Sequence, residues 1–387
     1  MIIGRPKRAG SPRAGLSAVT AGVVSGRATL GACEADFEAL ARQLFALQFQ
    51  HNGAYRRWCE ARGARPDTVA HWTGIPAAPT SAFKEFDLSC LPVEERTTVF
   101  HSSGTTGQKA SRHFHNAGSL ALYETSLSRW FEAQFQWPMV NRQLAIGSWQ
   151  LAILTPPPSH APHSSLVHMF ETIRRETGWE GSAFVGKVAK DGTWTLDAGA
   201  ALERLRAASG SGQPLLMLGT AFSLVQLLDH LADRDLCYQL PPGSCVLETG
   251  GYKGRSRSLP KSALHSLITQ RLGIPTTYIV CEYGMSELSS QAYHWEIEGV
   301  AAESPGLANS DISFRFPPWA RVQIVCPETG REVAEAETGL IRVFDLANVY
   351  SVMAIQTEDL GIRRGKGFAL AGRAVLAEPR GCSLMAV

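Results

Sequence analysis

The sequence lacks a strong excess of charge, a long apolar run and any closely spaced pair of cysteines. Over 387 residues, 37 Lys and Arg nearly balance 35 Asp and Glu, which leaves a formal net charge of +2. This balance provides no global field for nucleic acid or for an anionic membrane, so we expect neither partner. The longest nearly apolar stretch, residues 214–228, is shorter than the roughly 20 residues that span a bilayer, and it favours a buried core helix.

The N-terminal segment is equally poor in targeting signals. Residues 1–30 contain no Asp or Glu, and their basic residues are not followed by a compact apolar segment. A secretory signal is therefore not expected. A flexible extension over residues 1–34 is favoured, while an organellar presequence stays open. The eight cysteines contain no C-x-x-C pair, which is typical of reduced thiols in a cytoplasmic protein.

The rest of the chain alternates short apolar runs with helical ones, which predicts an α/β core over residues 35–335. A helix or helix pair is expected over residues 35–63, followed by an extended segment at 74–92 with Phe83 and Phe86 as anchors. Further strands are predicted at residues 97–101, 144–154, 215–218, 244–247 and 277–281, and further helices at 117–135, 164–175, 199–208, 222–232 and 261–272. Short strands at residues 321–325, 338–345 and 368–371 indicate a small β-rich lobe, which we place at residues 336–387.

The sequence HSSGTTGQK at residues 101–109 follows a predicted strand. Its two glycines allow a sharp turn and close approach to a ligand. Its hydroxyls and backbone N–H groups can surround phosphate oxygens, with Lys109 adding positive charge. The spacing is not that of a Walker A loop, and a solvated turn of the same composition remains an alternative. The predicted phosphate contacts are Ser102, Ser103, Gly104, Thr105, Thr106 and Gly107.

Two further turns follow predicted strands. In α/β proteins, ligands bind where parallel strands end, so side chains just after a strand are candidates for a site. Tyr283 and Gly284 are predicted to contact a purine nucleotide, Ser286 to contact a phosphate, and Glu287 to bind Mg²⁺. Gly250, Gly251 and Tyr252 form the second such turn. For either turn alone, an ordinary strand-to-loop connection is the favoured explanation.

Together these motifs resemble the adenylate-forming (acyl-CoA synthetase-like) superfamily. Residues 102–107 are similar to its phosphate loop, and residues 283–287 are similar to its Tyr-Gly-x-Thr-Glu motif. The sequence TEDLG at residues 357–361 resembles the segment whose Asp holds the ribose, and Arg373 falls where the family has a second ribose contact. The resemblance implies the N-terminal domain of that fold, with Asp359 and Arg373 at the nucleotide and with ATP and Mg²⁺ as cofactors.

The end of the sequence indicates which branch of the superfamily the chain resembles. The chain stops 14 residues after Arg373, so we expect the mobile C-terminal domain of acyl-CoA synthetases, and its lysine, to be absent. Cys382 lies in the short tail, as in the acyl-protein synthetase (LuxE-like) branch, whose members load an acyl group onto a cysteine near their C-terminus. The resemblance implies that Cys382 attacks the acyl-adenylate of a fatty acid, from a mobile tail, for hand-over to an acyl reductase. Lys109, Lys253 or Arg255 could then replace the missing lysine.

Other functions fit the residues less well. The histidines at positions 113, 115, 160, 163 and 168 suggest a zinc site, but His160 and His163 lie in a loop with no Cys or carboxylate at ligand spacing nearby. The sequence has no G-x-S-x-G elbow to support a hydrolase. An acyl- or aryl-CoA ligase that uses free CoA remains the alternative enzyme. A non-catalytic adenylate-binding subunit remains the alternative from another class.

Overall fold

The computed structural model describes residues 34–102, 109–140, 149–250, 259–294 and 313–374. Helix α1 (Glu34–His51) and helix α2 (Gly53–Glu60) open this part of the chain. They are followed by strand β1 (Ala78–Pro79), the single-turn helix α3 (Ala82–Glu85), and an antiparallel pair of strands, β2 (Thr98–His101) and β3 (Arg112–His115). Phe83 is fully buried, as predicted, whereas Phe86 is 52% exposed, so the expectation of a second anchor was wrong. The helix ends at Glu85 and the extended backbone at Phe86 turns that ring outward.

The central layer is a six-stranded sheet. Its strands are β4 (Gln150–Ile153), β5 (Ala183–Phe184), β8 (Leu215–Thr220), β9 (Cys245–Thr249), β10 (Ile279–Tyr283) and β11 (Ala292–His294). Their spatial order is β11-β10-β9-β8-β4-β5, and all neighbours are parallel except β10 and β11. Strands β6 (Gly186–Val188) and β7 (Trp194–Leu196) form a separate hairpin.

Helices cover both faces of this sheet. They are α4 (Ala117–Val140), α5 (Ser165–Thr177), α6 (Ala198–Ser211), α7 (Ala221–Asp233) and α8 (Lys261–Leu272). The strand residues alternate between two cores, as a pleated sheet requires. In β8, Leu216 and Leu218 join the core that contains α4 and α5, while Leu215 and Met217 join the core that contains α6, α7 and α8.

Residues 214–228 are not a single helix. Strand β8 occupies the first half, and Thr220 ends it by capping α7, since its Oγ1 accepts the N–H of Ser223 at 3.0 Å. Burial on both faces of a parallel strand gives a continuous apolar run, which sequence patterning alone cannot separate from a core helix. Within the described ranges, no helix combines the length and the hydropathy that crossing a bilayer would need.

A second sheet carries the C-terminal strands β12 (Ala320–Val325), β13 (Thr338–Asp345), β14 (Ala354–Arg364) and β15 (Gly367–Arg373). Strand β1 pairs in parallel with β14 at its edge, and β15 pairs with β14 as well. The predicted boundary between residues 335 and 336 falls between β12 and β13, which pair along their lengths. This sheet therefore contains strands from both predicted segments, with β1 and β12 from residues 35–335 and β13, β14 and β15 from residues 336–387.

Candidate functional site

One cavity of about 300 Å³ lies at the carboxyl ends of β9 and β10, where this fold class places ligands. Its volume is at the lower end of the range for small-molecule sites. The second sheet contributes its rim through β14 and β15. The predicted residues that line it are Ser102, Gly250, Tyr283, Gly284, Ser286, Glu287, Asp359 and Arg373. The structure thus brings four sequence-distant segments to one cavity.

Several predicted site residues lie outside the described ranges. These are Ser103, Gly104, Thr105, Thr106 and Gly107 of the phosphate loop, Gly251, Tyr252, Lys253 and Arg255 of the second turn, and Cys382 of the tail. The start of the phosphate loop is described. Ser102 Oγ accepts the N–H of Ser111 at 2.9 Å, and Ser102 N–H donates to the Ser111 carbonyl at 3.3 Å. These bonds hold Ser102 against the end of the β2–β3 pair, at the cavity wall.

Hydrogen bonds from His113 and Asn348 fix the backbone of the turn after β10. His113 Nδ1 lies 2.5 Å from the Ser286 carbonyl, so Nδ1 carries the proton and donates it. Burial lowers the pKa of His113, which favours the neutral ring that this bond uses. Asn348 Nδ2 donates to the Glu287 carbonyl at 2.8 Å, and Ser286 Oγ donates to Glu287 Oε2 at 3.0 Å. The Glu287 side chain is therefore fully buried and fixed in orientation at the cavity.

A side chain at Gly284 would require the Glu282 carboxyl group to move. A Cβ at this position would lie 2.3 Å from Glu282 Oε1, well inside van der Waals contact. The glycine lets the backbone pass close over the Glu282 carboxyl group. Both residues line the cavity.

Tyr283, Asp359 and Arg373 form one hydrogen-bonded group. The Tyr283 hydroxyl donates to Asp359 Oδ2 at 2.9 Å, and Arg373 Nε lies 3.1 Å from Asp359 Oδ1. Asp359 and Arg373 are register partners on β14 and β15, which explains their proximity. Arg373 Nη2 also pairs with Glu358 Oε2 at 2.6 Å. The tyrosine thereby ties the second sheet to the carboxyl end of β10.

Glu282 is a site residue that the sequence motifs did not single out. It is the register partner of Thr249 on β9 and of Tyr293 on β11, and the Thr249 hydroxyl donates to it. Burial raises the pKa of Glu282 to about 7, although the Thr249 hydrogen bond acts in the opposite direction. A carboxyl group in the cavity wall therefore titrates near neutral pH.

The structure also changes which cation faces the cavity. Lys109 is about half exposed and pairs with Glu85 Oε2 at 3.1 Å, away from the cavity lining. The catalytic role of Lys109 stays a prediction. Among the described lysines, Lys261 at the start of α8 is the one that lines the cavity, while Arg373 is the arginine that does so. Lys261 carries no motif and comes near the site only because α8 packs beside β9 and β10.

The histidines that suggested zinc serve other contacts. His113 supports the turn after β10, His115 pairs with Ser119 Oγ at 3.1 Å, and His168 pairs with Glu124 at 2.9 Å. In the described part of the chain, none of the three belongs to a group of side chains placed to share a metal ion.

Comparison with known proteins agrees with this geometry. No family model matches the chain. The long-chain-fatty-acid–luciferin-component ligase of Vibrio harveyi is 21% identical over 337 residues, which cover 84% of this chain and 78% of that protein. The ligase of the same name from Aliivibrio fischeri is 20% identical over the same coverage. The chain is thus similar, at low identity, to two ligases that carry the LuxE-type name.

Solved structures of adenylate-forming enzymes share the fold of this chain. 2-Hydroxyisobutyryl-CoA ligase, solved with 2-HIB-AMP and CoA in its thioesterification state, has a TM-score of 0.62 at 13% identity. The match covers 90% of this chain and 70% of that protein. The same ligase in an open conformation gives a TM-score of 0.60. The predicted α/β fold of adenylate-forming enzymes is therefore confirmed.

Proposed function

We propose that this chain uses ATP to convert a carboxylic acid to an acyl-adenylate and then transfers the acyl group to the thiol of Cys382. The observation that carries the proposal is the convergence of Ser102, Gly250, the turn at residues 283–287 and the Asp359–Arg373 pair on one cavity. The names of the two ligases above support a fatty acid as the substrate class.

The nucleotide would lie between the two sheets. Asp359 is a carboxylate acceptor at the cavity, oriented by Tyr283 and Arg373, and in this proposal it accepts hydrogen bonds from the ribose hydroxyls. The Tyr283 ring packs near Phe314, with centroids 6.1 Å apart, and both rings line the cavity. They give a purine an apolar wall, while Ser102 and the residues after it receive the phosphates.

Glu287 fits a ligand for Mg²⁺. Its carboxylate is buried, lines the cavity and is held by Ser286, and Mg²⁺ in nucleotide sites uses one or two carboxylates together with phosphate oxygens. When bound, the ion neutralises phosphate charge. We assign Lys261, in place of Lys109, as the cation nearest the reacting groups, because it lines the cavity.

Two bond exchanges make up the reaction. First, a carboxylate oxygen of the acid attacks the α-phosphorus, the bond to the bridging oxygen breaks, and pyrophosphate leaves. The protein positions the reactants and stabilises negative charge. Second, the Cys382 thiolate attacks the acyl carbon, the bond to the phosphate oxygen breaks, and AMP leaves with a thioester formed. Cys382 follows Arg373 by nine residues, which can span at most about 30 Å, so the thiol is within reach of a cavity that Arg373 lines.

Intact-protein mass spectrometry tests the proposal. The full chain is incubated with MgATP and carboxylic acids of increasing chain length, and pyrophosphate release is followed in parallel. We expect an acyl adduct that hydroxylamine removes, absent in Cys382→Ala and retained in Cys237→Ala, which removes an exposed cysteine elsewhere in the chain. Pyrophosphate release should persist in both variants.

Two other outcomes would assign a different function. Pyrophosphate release without an adduct would make free CoA or a carrier protein the acceptor, which is the acyl- or aryl-CoA ligase alternative. AMP binding without pyrophosphate release for any acid would indicate a non-catalytic binding subunit. Hand-over to an acyl reductase enters the proposal only through the family resemblance, and a cytoplasmic location enters it only through the scattered cysteines.

A further inference from the structure

A buried cluster of three metal-ligating side chains lies beside the cavity, on the face of the central sheet that α8 covers. Glu248 on β9 and Cys281 on β10 are register partners, so their side chains project from the same face. His265 reaches them from α8. The three residues are 1% to 5% exposed, and their ligand atoms all lie within 4.8 Å of one another.

The distances are close to those of a coordination triangle. Glu248 Oε2 lies 2.8 Å from His265 Nε2, and Cys281 Sγ lies 3.7 Å from Glu248 Oε2 and 3.9 Å from His265 Nε2. With zinc–oxygen and zinc–nitrogen bonds of about 2.0–2.1 Å and a zinc–sulfur bond of about 2.3 Å, tetrahedral geometry requires edges of about 3.3–3.6 Å. An increase of about 0.5 Å in the distance between Glu248 Oε2 and His265 Nε2 would therefore give this pair the spacing that a tetrahedral zinc site requires.

The chemical types of the three ligand atoms indicate which metal ion the cluster would bind. One thiolate, one imidazole and one carboxylate suit zinc, whereas Mg²⁺ requires oxygen ligands. Such an ion would be separate from the Mg²⁺ at Glu287, which lies on the turn after β10. Glu248 also lines the cavity, so the cluster borders the proposed nucleotide site without belonging to the family motifs.

We propose that Glu248, His265 and Cys281 bind a zinc ion that fixes α8 to strands β9 and β10. These strands lead directly to Gly250 and to the turn at residues 283–287, so the ion would set the relative position of two walls of the cavity.

A metal-free arrangement is the competing explanation. Lys261 lies one helical turn before His265, interacts with Cys281 and could supply positive charge to the cluster without an ion. Glu248 and His265 would then form an ordinary buried pair. Metal content distinguishes the two arrangements without reference to activity.

The test uses the full chain, produced with zinc in the medium and purified without a metal-binding tag. Elemental analysis should find about one zinc per chain, and X-ray absorption should show one sulfur at about 2.3 Å with nitrogen or oxygen ligands at about 2.0–2.1 Å. Cys281→Ala and His265→Ala should each lower zinc affinity at least tenfold, since even the loss of an outer-shell partner can cost that much. Cys245→Ala is the matched control, because Cys245 is also buried and lies three residues before Glu248 on β9, so strand alternation places it on the opposite face of the sheet.

Three results would overturn the proposal. They are no zinc in the wild-type chain even after incubation with the ion, a zinc spectrum without sulfur, and an equal zinc content in wild type and Cys281→Ala. The absorption measurement needs no variant, so it decides the question even if the Cys281 variant fails to fold.

Discussion

The buried carboxyl group of Glu282 should make the stability of this protein depend on pH in a calculable way. Its pKa rises from an ordinary value of 4.5 to about 7 because burial disfavours the charged form. At about 1.4 kcal/mol for each pKa unit, this difference corresponds to about 3 kcal/mol. Since the folded state holds the proton more tightly, this stability is fully present below about pH 4.5 and is lost as pH rises through about 7.

Glu282→Gln isolates this contribution. The amide oxygen can still accept the Thr249 hydrogen bond, but the side chain stays neutral at every pH. Burial also raises the pKa of Asp345 to about 6. Asp345 is present in both proteins, so its effect cancels in the difference between them. Between pH 5 and pH 8.5, the free energy of unfolding of wild type should therefore fall by about 2–3 kcal/mol relative to Glu282→Gln.

Urea unfolding at a series of pH values, followed by tryptophan fluorescence, measures this difference. Glu203→Gln serves as the control because the Glu203 side chain is 73% exposed, and its difference from wild type should stay constant. A wild-type minus Glu282→Gln difference that is flat across the same range would refute the reasoning. So would a difference of the opposite sign.

Three further substitutions test the cavity. Asp359→Asn removes the charge that Tyr283 and Arg373 contact, so the affinity for AMP, measured by calorimetry, should fall by roughly tenfold or more. Tyr283→Phe removes one neutral donor, so the affinity should fall by less than about tenfold. Equal losses in the two variants would contradict the assignment of Asp359 as the ribose acceptor. Gly284→Ala places a methyl group 2.3 Å from a carboxyl oxygen and should abolish pyrophosphate release, while Gly210→Ala, with no atom within 4 Å of its new Cβ, should leave it unchanged. A fully active Gly284→Ala protein would show that this turn moves freely.

Local sequence signals predicted most of the regular elements. Helix α8 and strand β13 have the predicted bounds, because each begins and ends where the pattern does: Pro260 precedes α8 and Gly273 ends it. Strand β14 was not predicted. Its sequence AIQTEDLGIRR mixes charged and apolar residues without alternation, and it contains the register shift at Leu360 and Gly361. Pairing with β13 and β15 decides its structure, and no local pattern records that pairing.

The site residues likewise divide into those that local motifs predict and those that only tertiary packing brings to the cavity. Tyr283, Asp359 and Arg373 were predictable because short motifs contain them, although their hydrogen bonds to one another depend on the meeting of two sheets. Lys261 and Glu282 were not predictable in this way. Each lies inside a regular element with no signature, and each reaches the cavity only through the packing of that element.

The two faces of strand β10 beside the cavity can therefore serve different functions, metal binding on one face and proton uptake on the other. Residues 281 and 282 point to opposite faces of β10, so Cys281 lies with Glu248 near His265 of α8, while Glu282 lies with Thr249 near Tyr123 of α4. Metal binding and proton uptake would then act on adjacent residues of one strand but through separate neighbours. If both proposals hold, Cys281→Ala should remove zinc while leaving the pH dependence of Glu282 in place, and Glu282→Gln should do the reverse. Loss of both properties in either variant would mean that the end of β10 responds as a single unit.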